Sequence, residues 1–161
     1  MQKNLKYLCL SGIFAALIFA VTMLHIPAGN GYIHMGDAVI FLCASILPQP
    51  FALGAAAIGG GLSDLISGYP MWILPTVIIK ALITLSFKNS KRIFTPRNML
   101  ACITALIISV GGYFTAEMII YNTPQAVLSI PANVIQIVIS VVVYTIVGLT
   151  IDKIKRVPPL G

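Results

Sequence analysis

Long apolar runs separated by short polar breaks make up most of this chain. The first run extends from Tyr7 to Ile26 and contains no charged residue. At 20 residues, it has the length of a membrane-spanning helix and is longer than the apolar core of a secretory signal peptide. We therefore interpret residues 6–26 as a first transmembrane helix that is retained in the protein.

Breaks rich in proline, glycine and asparagine divide the rest of the chain into further apolar stretches. Each stretch is long enough for a helix, and the breaks between them are turn signals. Pro131 interrupts the last stretch and predicts a bend there. The predicted second to sixth helices cover residues 37–47, 51–66, 71–87, 98–121 and 124–151.

The doubtful break is Pro48-Gln49-Pro50, which is either a kink in one helix or a turn between two. Basic residues favour the turn, because six helices then place nine of the ten basic residues on one side of the membrane. Cytoplasmic segments are enriched in lysine and arginine. We predict an all-α, multi-pass protein of the cell membrane, a single domain over residues 1–161, with six transmembrane helices and both termini cytoplasmic. The nine basic residues are Lys3, Lys6, Lys88, Lys91, Arg92, Arg97, Lys153, Lys155 and Arg156.

The amino-acid composition indicates that much of the protein surface faces lipid and not water. Charged residues make up 9% of the chain, 58% are hydrophobic and the mean hydropathy is +0.99, whereas soluble domains carry about 25% charged residues. The net charge of +6 does not indicate nucleic acid, because the basic residues flank apolar runs. The three cysteines lie within apolar runs, which argues against a disulfide framework.

Ionisable side chains inside apolar segments usually face a cavity. We predict that Asp37 opens the second helix at the outer face and that Asp64 and Glu117 lie about 6 Å below outer turns. Lys80 is predicted about 15 Å down, near the midplane. Since the inner half has almost nothing polar, we predict an outward-facing pocket over a dry floor. The buried amides Asn133 and Gln136 belong to the same outer half.

A flat heteroaromatic ligand suits this predicted pocket. Tyr69, Trp72 and Tyr113 can stack on a ring. Glu117 and the two amides, Asn133 and Gln136, can form hydrogen bonds with donors and acceptors on the ring. Lys80 either meets an anionic ligand group or neutralises Asp64, and we favour the second. The alternatives are that the polar groups only pair with each other and that the aromatic residues only mark the membrane interface. The glycine-rich 27–36 segment is a candidate lid.

Other chemistry is weaker in this sequence. His34 and Asp37 have the spacing of a local metal pair, but a specific site needs three or more protein ligands. We therefore predict no metal, no cofactor and no catalytic residue. The Gly59-Gly60-Gly61 run lies in an apolar helix and indicates close packing, not phosphate binding. A small-residue stripe on helix one either packs inside the protein or docks a partner; it consists of Gly12, Ala16 and Ala20.

Several stretches together resemble the substrate-binding S components of energy-coupling factor (ECF) vitamin transporters, in the group named for riboflavin. The resemblance implies a subunit that captures a vitamin from outside and works with a membrane coupling protein and two cytoplasmic ATPases. It also implies that Ala16 and Ala20 form an Ala-x-x-x-Ala docking motif, and that the subunit topples in the bilayer. The matching stretches are 32–37, 59–64, 68–72 with Pro75, Thr76 and Lys80, 112–117, and 130–136.

The resemblance leaves the ligand open among riboflavin, hydroxymethylpyrimidine or thiamine, and pyridoxine-type compounds. A stand-alone, ion-coupled secondary transporter is the main alternative, with Asp64 or Glu117 carrying the proton. A small membrane enzyme using His34, Asp37 and Asp64 is a third reading. A packing subunit without a ligand is the fourth.

Overall fold

The computed structural model describes residues 2–28 and 31–154, which form six α-helices, a short 3₁₀ turn and one β-hairpin. The all-α class and the number of helices are therefore confirmed for this part of the chain. The helices are α1 (Gln2–Met23), α2 (Gly36–Ile46), α3 (Gln49–Ile66), α4 (Ile73–Ser86), α5 (Pro96–Ile120) and α6 (Thr123–Ile154). The turn at Pro70–Trp72 precedes α4, and the strands are β1 (His25–Ala28) and β2 (Gly31–His34).

Three helices, α1, α5 and α6, are long and apolar enough to cross a membrane by themselves. The shorter apolar α2 has 11 residues and is about 16 Å long, roughly half the thickness of a bilayer's hydrocarbon core. The break at residues 48–50 is a turn, as predicted. The Leu47 N–H closes α2 on the carbonyl of Cys43, and Pro50 lies in the first turn of α3, where a missing N–H costs nothing.

The β-hairpin was not predicted. Helix α1 ends at Met23, three residues earlier than expected, and the strands pair antiparallel from His25 opposite His34 to Ala28 opposite Gly31. Pro27 cannot continue a helix, and the neighbouring β-branched and aromatic residues favour extended backbone. Most of the predicted lid therefore has regular structure, while its residues 29–30 lie outside the described residues.

Helices α1 and α3 pack closely because Gly59 has no side chain. A Cβ atom added there would lie 2.8 Å from the carbonyl oxygen of Ala15 and 2.8 Å from Cβ of Ile18. Gly60 faces Thr76 and Gly61 faces Val77 on α4. The glycine run thus allows α3 to approach two helices, which confirms its predicted role in packing.

The opposite end of the bundle, where the 87–95 loop joins α4 to α5, is not dry. Asn98 is fully buried there. Its Nδ2 donates to the carbonyls of Lys88 (3.2 Å) and Ile93 (3.0 Å), and its Oδ1 accepts the Lys88 N–H (3.0 Å). Tyr144 donates its hydroxyl hydrogen to the Ile93 carbonyl at 3.0 Å. The expectation of an inner half with almost nothing polar is therefore wrong.

The Asp152 carboxylate belongs to the same network. We call Ser45, Asn98, Tyr144 and Asp152 the loop-end network. Asp152 accepts the N–H groups of Ile93 and Phe94, both at 2.9 Å, and Ser45 lies 3.0 Å from the Tyr144 hydroxyl. These polar groups bind backbone atoms and each other. Their hydrogen bonds join the 87–95 loop to α2, α5 and α6 at this end of the bundle.

Replacing Asn98 with alanine should lower the free energy of unfolding by about 1–3 kcal/mol, because the Lys88 N–H and carbonyl lose their side-chain partner and the Ile93 carbonyl keeps only the bond from Tyr144. Thermal unfolding of the detergent-purified protein measures this loss. Thr104→Ala is the matched control on the same helix, since its exposed hydroxyl binds only its own helix at Leu100. Equal losses in both variants would show that the loop-end network does not stabilise the fold.

Candidate ligand-binding site

A cavity of about 430 Å³ lies at the hairpin end of the bundle. Side chains from all six helices and from β2 line it, and its size suits a small organic ligand. The cavity brings together nine of the ten candidate residues, and only Asp37 is not on its wall. The nine are His34, Asp64, Tyr69, Trp72, Lys80, Tyr113, Glu117, Asn133 and Gln136.

Lys80 forms an ion pair with Asp37, not with Asp64 as expected. Its Nζ lies 2.6 Å from Asp37 Oδ1, and the two side chains are 2% and 0% exposed. The expected position of Asp37 at the outer face is also wrong. Helix α2 is too short to reach both surfaces, so its first turn lies in the interior, at the level that Lys80 reaches from α4.

Gln136 extends this ion pair to two further elements. Its Nε2 donates to Asp37 Oδ2 at 2.8 Å, and its Oε1 accepts the backbone N–H of His34 at 3.4 Å. Lys80 Nζ also lies 5.3 Å from the centre of the Tyr113 ring, within range of a cation–π contact. We call Lys80, Asp37 and Gln136 the closed network, because its charges and amide groups are bound within the protein.

His34 belongs to the same wall as a neutral side chain. Its Nδ1 accepts the N–H of Gly36 at 3.1 Å, so the ring hydrogen of the neutral imidazole is on Nε2. Burial lowers the pKa of His34 to about 4, although the nearby Asp37 carboxylate acts in the opposite direction. Because Asp37 is bound to Lys80 and Gln136, the His-x-x-Asp spacing does not produce a metal pair.

Aromatic rings occupy two parts of the wall. Trp72 lies 5.9 Å from Tyr113 and 6.2 Å from Tyr121 between ring centres, and its Nε1 donates to the Tyr121 hydroxyl at 3.3 Å. Tyr32 on the hairpin lies 6.2 Å from Tyr69. These faces offer stacking positions for a flat ligand. Tyr32 and Tyr121 were not among the predicted site residues.

Three polar side chains of the wall remain outside the closed network, and we call them the open set: Asp64, Glu117 and Asn133. Asp64 Oδ1 accepts the Tyr32 hydroxyl at 3.3 Å, while Asp64 Oδ2 is buried without a hydrogen-bond partner among the described residues. Glu117 is half-buried beside the Ser129 hydroxyl. The open set supplies acceptors and an amide that a ligand can engage.

Sequence reasoning missed much of the α6 wall, although a signal for it exists. The α6 residues on the cavity recur every three or four positions, which places them on one face of a helix. Extending the stripe from Asn133 and Gln136 toward the start of α6 would have found the others. They are Gln125, Leu128, Ser129 and Ala132.

The small-residue stripe of α1 does not pack inside the protein. Gly12, Ala16 and Ala20 are exposed, whereas Ala15 and Ile18 of the same helix are buried. A Cβ atom added at Gly12 would meet nothing within 4 Å. Among the described residues the stripe thus has no internal packing contact at Gly12, and its use in docking a partner stays a prediction.

Comparison with known proteins assigns a class to this fold and cavity. The model of the family described as ECF-type riboflavin transporter, S component, matches residues 2–153. The chain belongs to this family, as the resemblance predicted. It is a membrane protein and a substrate-binding subunit of a vitamin-type transporter, and the names of the family and of the relative point to a transporter component, not to an enzyme.

Two relatives extend over most of the chain. A protein of Pyrococcus woesei, described as "Uncharacterized protein in gap 3'region", is 30% identical over 138 residues, which cover 84% of this chain and 90% of the relative. The "Thiamine precursor transporter HmpT" of Lactococcus lactis subsp. cremoris (strain MG1363) is 27% identical over 161 residues, which cover 94% and 91%. The family of this chain is named for riboflavin, and the chain is also similar to a protein that is named as a transporter of a thiamine precursor.

Proposed function

We propose that this protein captures a water-soluble vitamin or vitamin precursor from outside the cell for ATP-driven uptake. The ligand is of the riboflavin, hydroxymethylpyrimidine/thiamine or pyridoxine type. The observation that carries the proposal is the cavity, in which aromatic faces and the open set surround a volume of about 430 Å³. The similarity to a thiamine precursor transporter supports the same ligand type.

The partners in this proposal are an ECF membrane coupling protein and two cytoplasmic ATPases. The exposed stripe of Gly12, Ala16 and Ala20 is the proposed docking face for the coupling protein, because small residues let another helix approach closely. The loop-end network supports a need for partners. It ties α2, α5 and α6 together below the cavity, so release toward that side requires more than a local opening.

The proposed topology has six membrane crossings with both termini in the cytoplasm, in the cell membrane. The 87–97 segment supports it, because its four basic side chains are all exposed at the loop end of the bundle. They are Lys88, Lys91, Arg92 and Arg97. Two basic residues of the tail, Lys155 and Arg156, lie outside the described residues. Labelling of single cysteines at positions 91 and 122 from each side of the membrane tests the orientation.

Ligand extraction tests the proposed function most directly. The purified protein is denatured, and mass spectrometry identifies any small molecule that it released. Isothermal titration then gives the affinity for that compound, for riboflavin, for thiamine and for pyridoxine. A protein that binds none of these compounds and releases no vitamin-type molecule would contradict the proposal.

Trp72→Ala, Glu117→Ala and Asn133→Ala should each weaken ligand binding by about tenfold or more, because each removes a stacking face or a hydrogen bond. Isothermal titration with the extracted ligand measures the loss. The matched control is Leu100→Ala, since Leu100 is 63% exposed on α5 and does not line the cavity. Wild-type affinity in all three cavity variants would refute the assignment of this site.

An ion-coupled secondary transporter is the alternative function. The observation that favours this alternative is that two carboxylates of the cavity, Asp64 and Glu117, have no ion-pair partner among the described residues. Either carboxylate could then carry the coupled proton. Uptake by liposomes that contain this protein alone, driven by a pH gradient and without ATPases, would support this alternative and exclude the capture subunit.

A further inference from the structure

We propose that Asp64 binds an amino group or a protonated ring nitrogen of the ligand. The site would then select amino-substituted, neutral or cationic heteroaromatic compounds over counterparts that carry a carbonyl oxygen at the same position. The inference rests on the proposed function and narrows its ligand class. It follows from the charge balance of the cavity and from the geometry of one carboxylate.

The chain has four acidic side chains, and two of them are already satisfied. Asp37 binds Lys80 and Gln136, and Asp152 binds two backbone N–H groups at the loop end. The other two, Asp64 and Glu117, both line the cavity. Lys80 is the one lysine or arginine on the described wall, and Asp37 neutralises it.

Asp64 is the carboxylate that most needs a donor from the ligand. It is 6% exposed, so water hydrates it less than it hydrates the half-buried Glu117. The Thr76 hydroxyl lies near this carboxylate, but within residues 2–28 and 31–154 no donor reaches Oδ2 with ordinary hydrogen-bond geometry. Buried polar atoms without a partner are rare and costly, and a ligand N–H would remove that cost.

The surroundings of Asp64 fix the direction of this contact. The Tyr32 hydroxyl donates to Oδ1 at 3.3 Å and so orients the carboxylate. The rings of Tyr32 and Tyr69 stand beside it on the cavity wall, 6.2 Å apart. A flat heterocycle that contacts these rings brings its edge toward the carboxylate. An edge amino group can then donate to Asp64, whereas an edge carbonyl oxygen would face a second acceptor.

The same charge balance disfavours anionic ligands. Phosphate esters and carboxylates would enter a cavity that holds two carboxylates, and no free cation on its described wall would meet them. We therefore expect the unphosphorylated form of the ligand to bind and its phosphate ester to bind at least about tenfold more weakly.

The test compares two ligands that differ at one position. The first is the amino-hydroxymethyl-methyl pyrimidine of thiamine, and the second is its pyrimidinone counterpart, in which a carbonyl oxygen replaces the amino group. The wild-type protein should bind the amino form about 10- to 100-fold more tightly by isothermal titration. Equal affinities, or binding of neither pyrimidine by a protein that releases another vitamin, would overturn the inference and leave the proposed function intact.

Asp64→Asn sharpens the comparison. Asparagine keeps an oxygen that can accept from Tyr32, but it replaces the second oxygen with an amide donor. The amino form should lose about 10- to 100-fold in affinity, and the pyrimidinone should gain. A folded Asp64→Asn variant, judged by its size-exclusion profile, that keeps the wild-type preference for the amino form would contradict the assignment.

Glu117→Gln is the matched comparison, because it also removes one negative charge from the cavity. Both ligands should lose affinity together, so the ratio between amino and carbonyl ligands should stay within about threefold of the wild-type ratio. An inversion of that ratio by Glu117→Gln, without an inversion by Asp64→Asn, would transfer the recognition to Glu117 and overturn the proposal.

Discussion

Replacing Lys80 with methionine should lower the free energy of unfolding by about 3–5 kcal/mol, the cost of leaving one partner of a buried ion pair alone. Asp37 is fully buried and would keep only the hydrogen bond from Gln136. Methionine fills a similar volume, so the loss would reflect the missing charge and not a cavity. Thermal unfolding of the purified protein measures the effect.

The control for Lys80→Met is the double variant with Asp37→Leu. Replacing a buried ion pair with apolar residues of similar volume is often neutral or stabilising. The double variant should therefore recover most of the loss caused by the single change, which gives a large coupling energy in a double-mutant cycle. Additive losses would mean that the closed network does not act as a unit.

Ala16→Trp should abolish ATP-driven uptake while ligand affinity stays within about twofold of wild type. Ala16 is exposed at the centre of the α1 stripe and does not line the cavity. A tryptophan there prevents the close approach of a partner helix. Uptake of labelled ligand by cells or by liposomes with the complete transporter measures transport, and isothermal titration measures binding.

The comparison variant for this experiment is Ile146→Trp, which places the same side chain on α6, where Ile146 is 60% exposed. It should leave both uptake and binding unchanged. Co-purification of the Ala16→Trp protein with the coupling protein at the wild-type ratio would contradict the docking assignment. Loss of uptake in both variants would mean that a bulky membrane-facing side chain alone stops transport.

Hydrophobic pattern was sufficient to predict the helices, because apolar length and proline breaks are local features of the sequence. Predicting a turn at Pro48-Gln49-Pro50 required the added rule on basic residues, and the structure has a turn there. The hairpin was missed since its strands have four residues each. Its Gly29-Asn30 pair between short β-favouring segments was nevertheless a hairpin signal in the sequence.

Ion pairs were harder to predict, because they depend on which residues of neighbouring helices lie at the same height, and the helices differ in length. Counting residues from each turn placed Asp37 at a surface, although the short α2 begins inside the bundle. The partner of Lys80 was therefore misassigned to Asp64. That correction changes the chemistry of the cavity, since Asp64 keeps an acceptor oxygen for a ligand, whereas the charge of Lys80 is already neutralised by Asp37.

The prediction of a dry inner half fails because isolated polar residues stand within or beside long apolar runs. Asn98 is at the start of one predicted apolar helix, and Tyr144 and Asp152 lie within or beside the last apolar run. Hydrogen bonds to backbone carbonyls and N–H groups allow such residues to be buried at low cost. Sequence alone does not reveal which loop atoms will meet them.

The hairpin begins two residues after α1 ends, so the helix with the exposed small residues continues almost directly into the strands that carry Tyr32. A ligand bound as proposed between Tyr32 and Asp64 would therefore also restrain the end of α1 that adjoins the hairpin. On that proposal, occupancy of the cavity changes the rigidity of α1 while its exposed small residues stay the same.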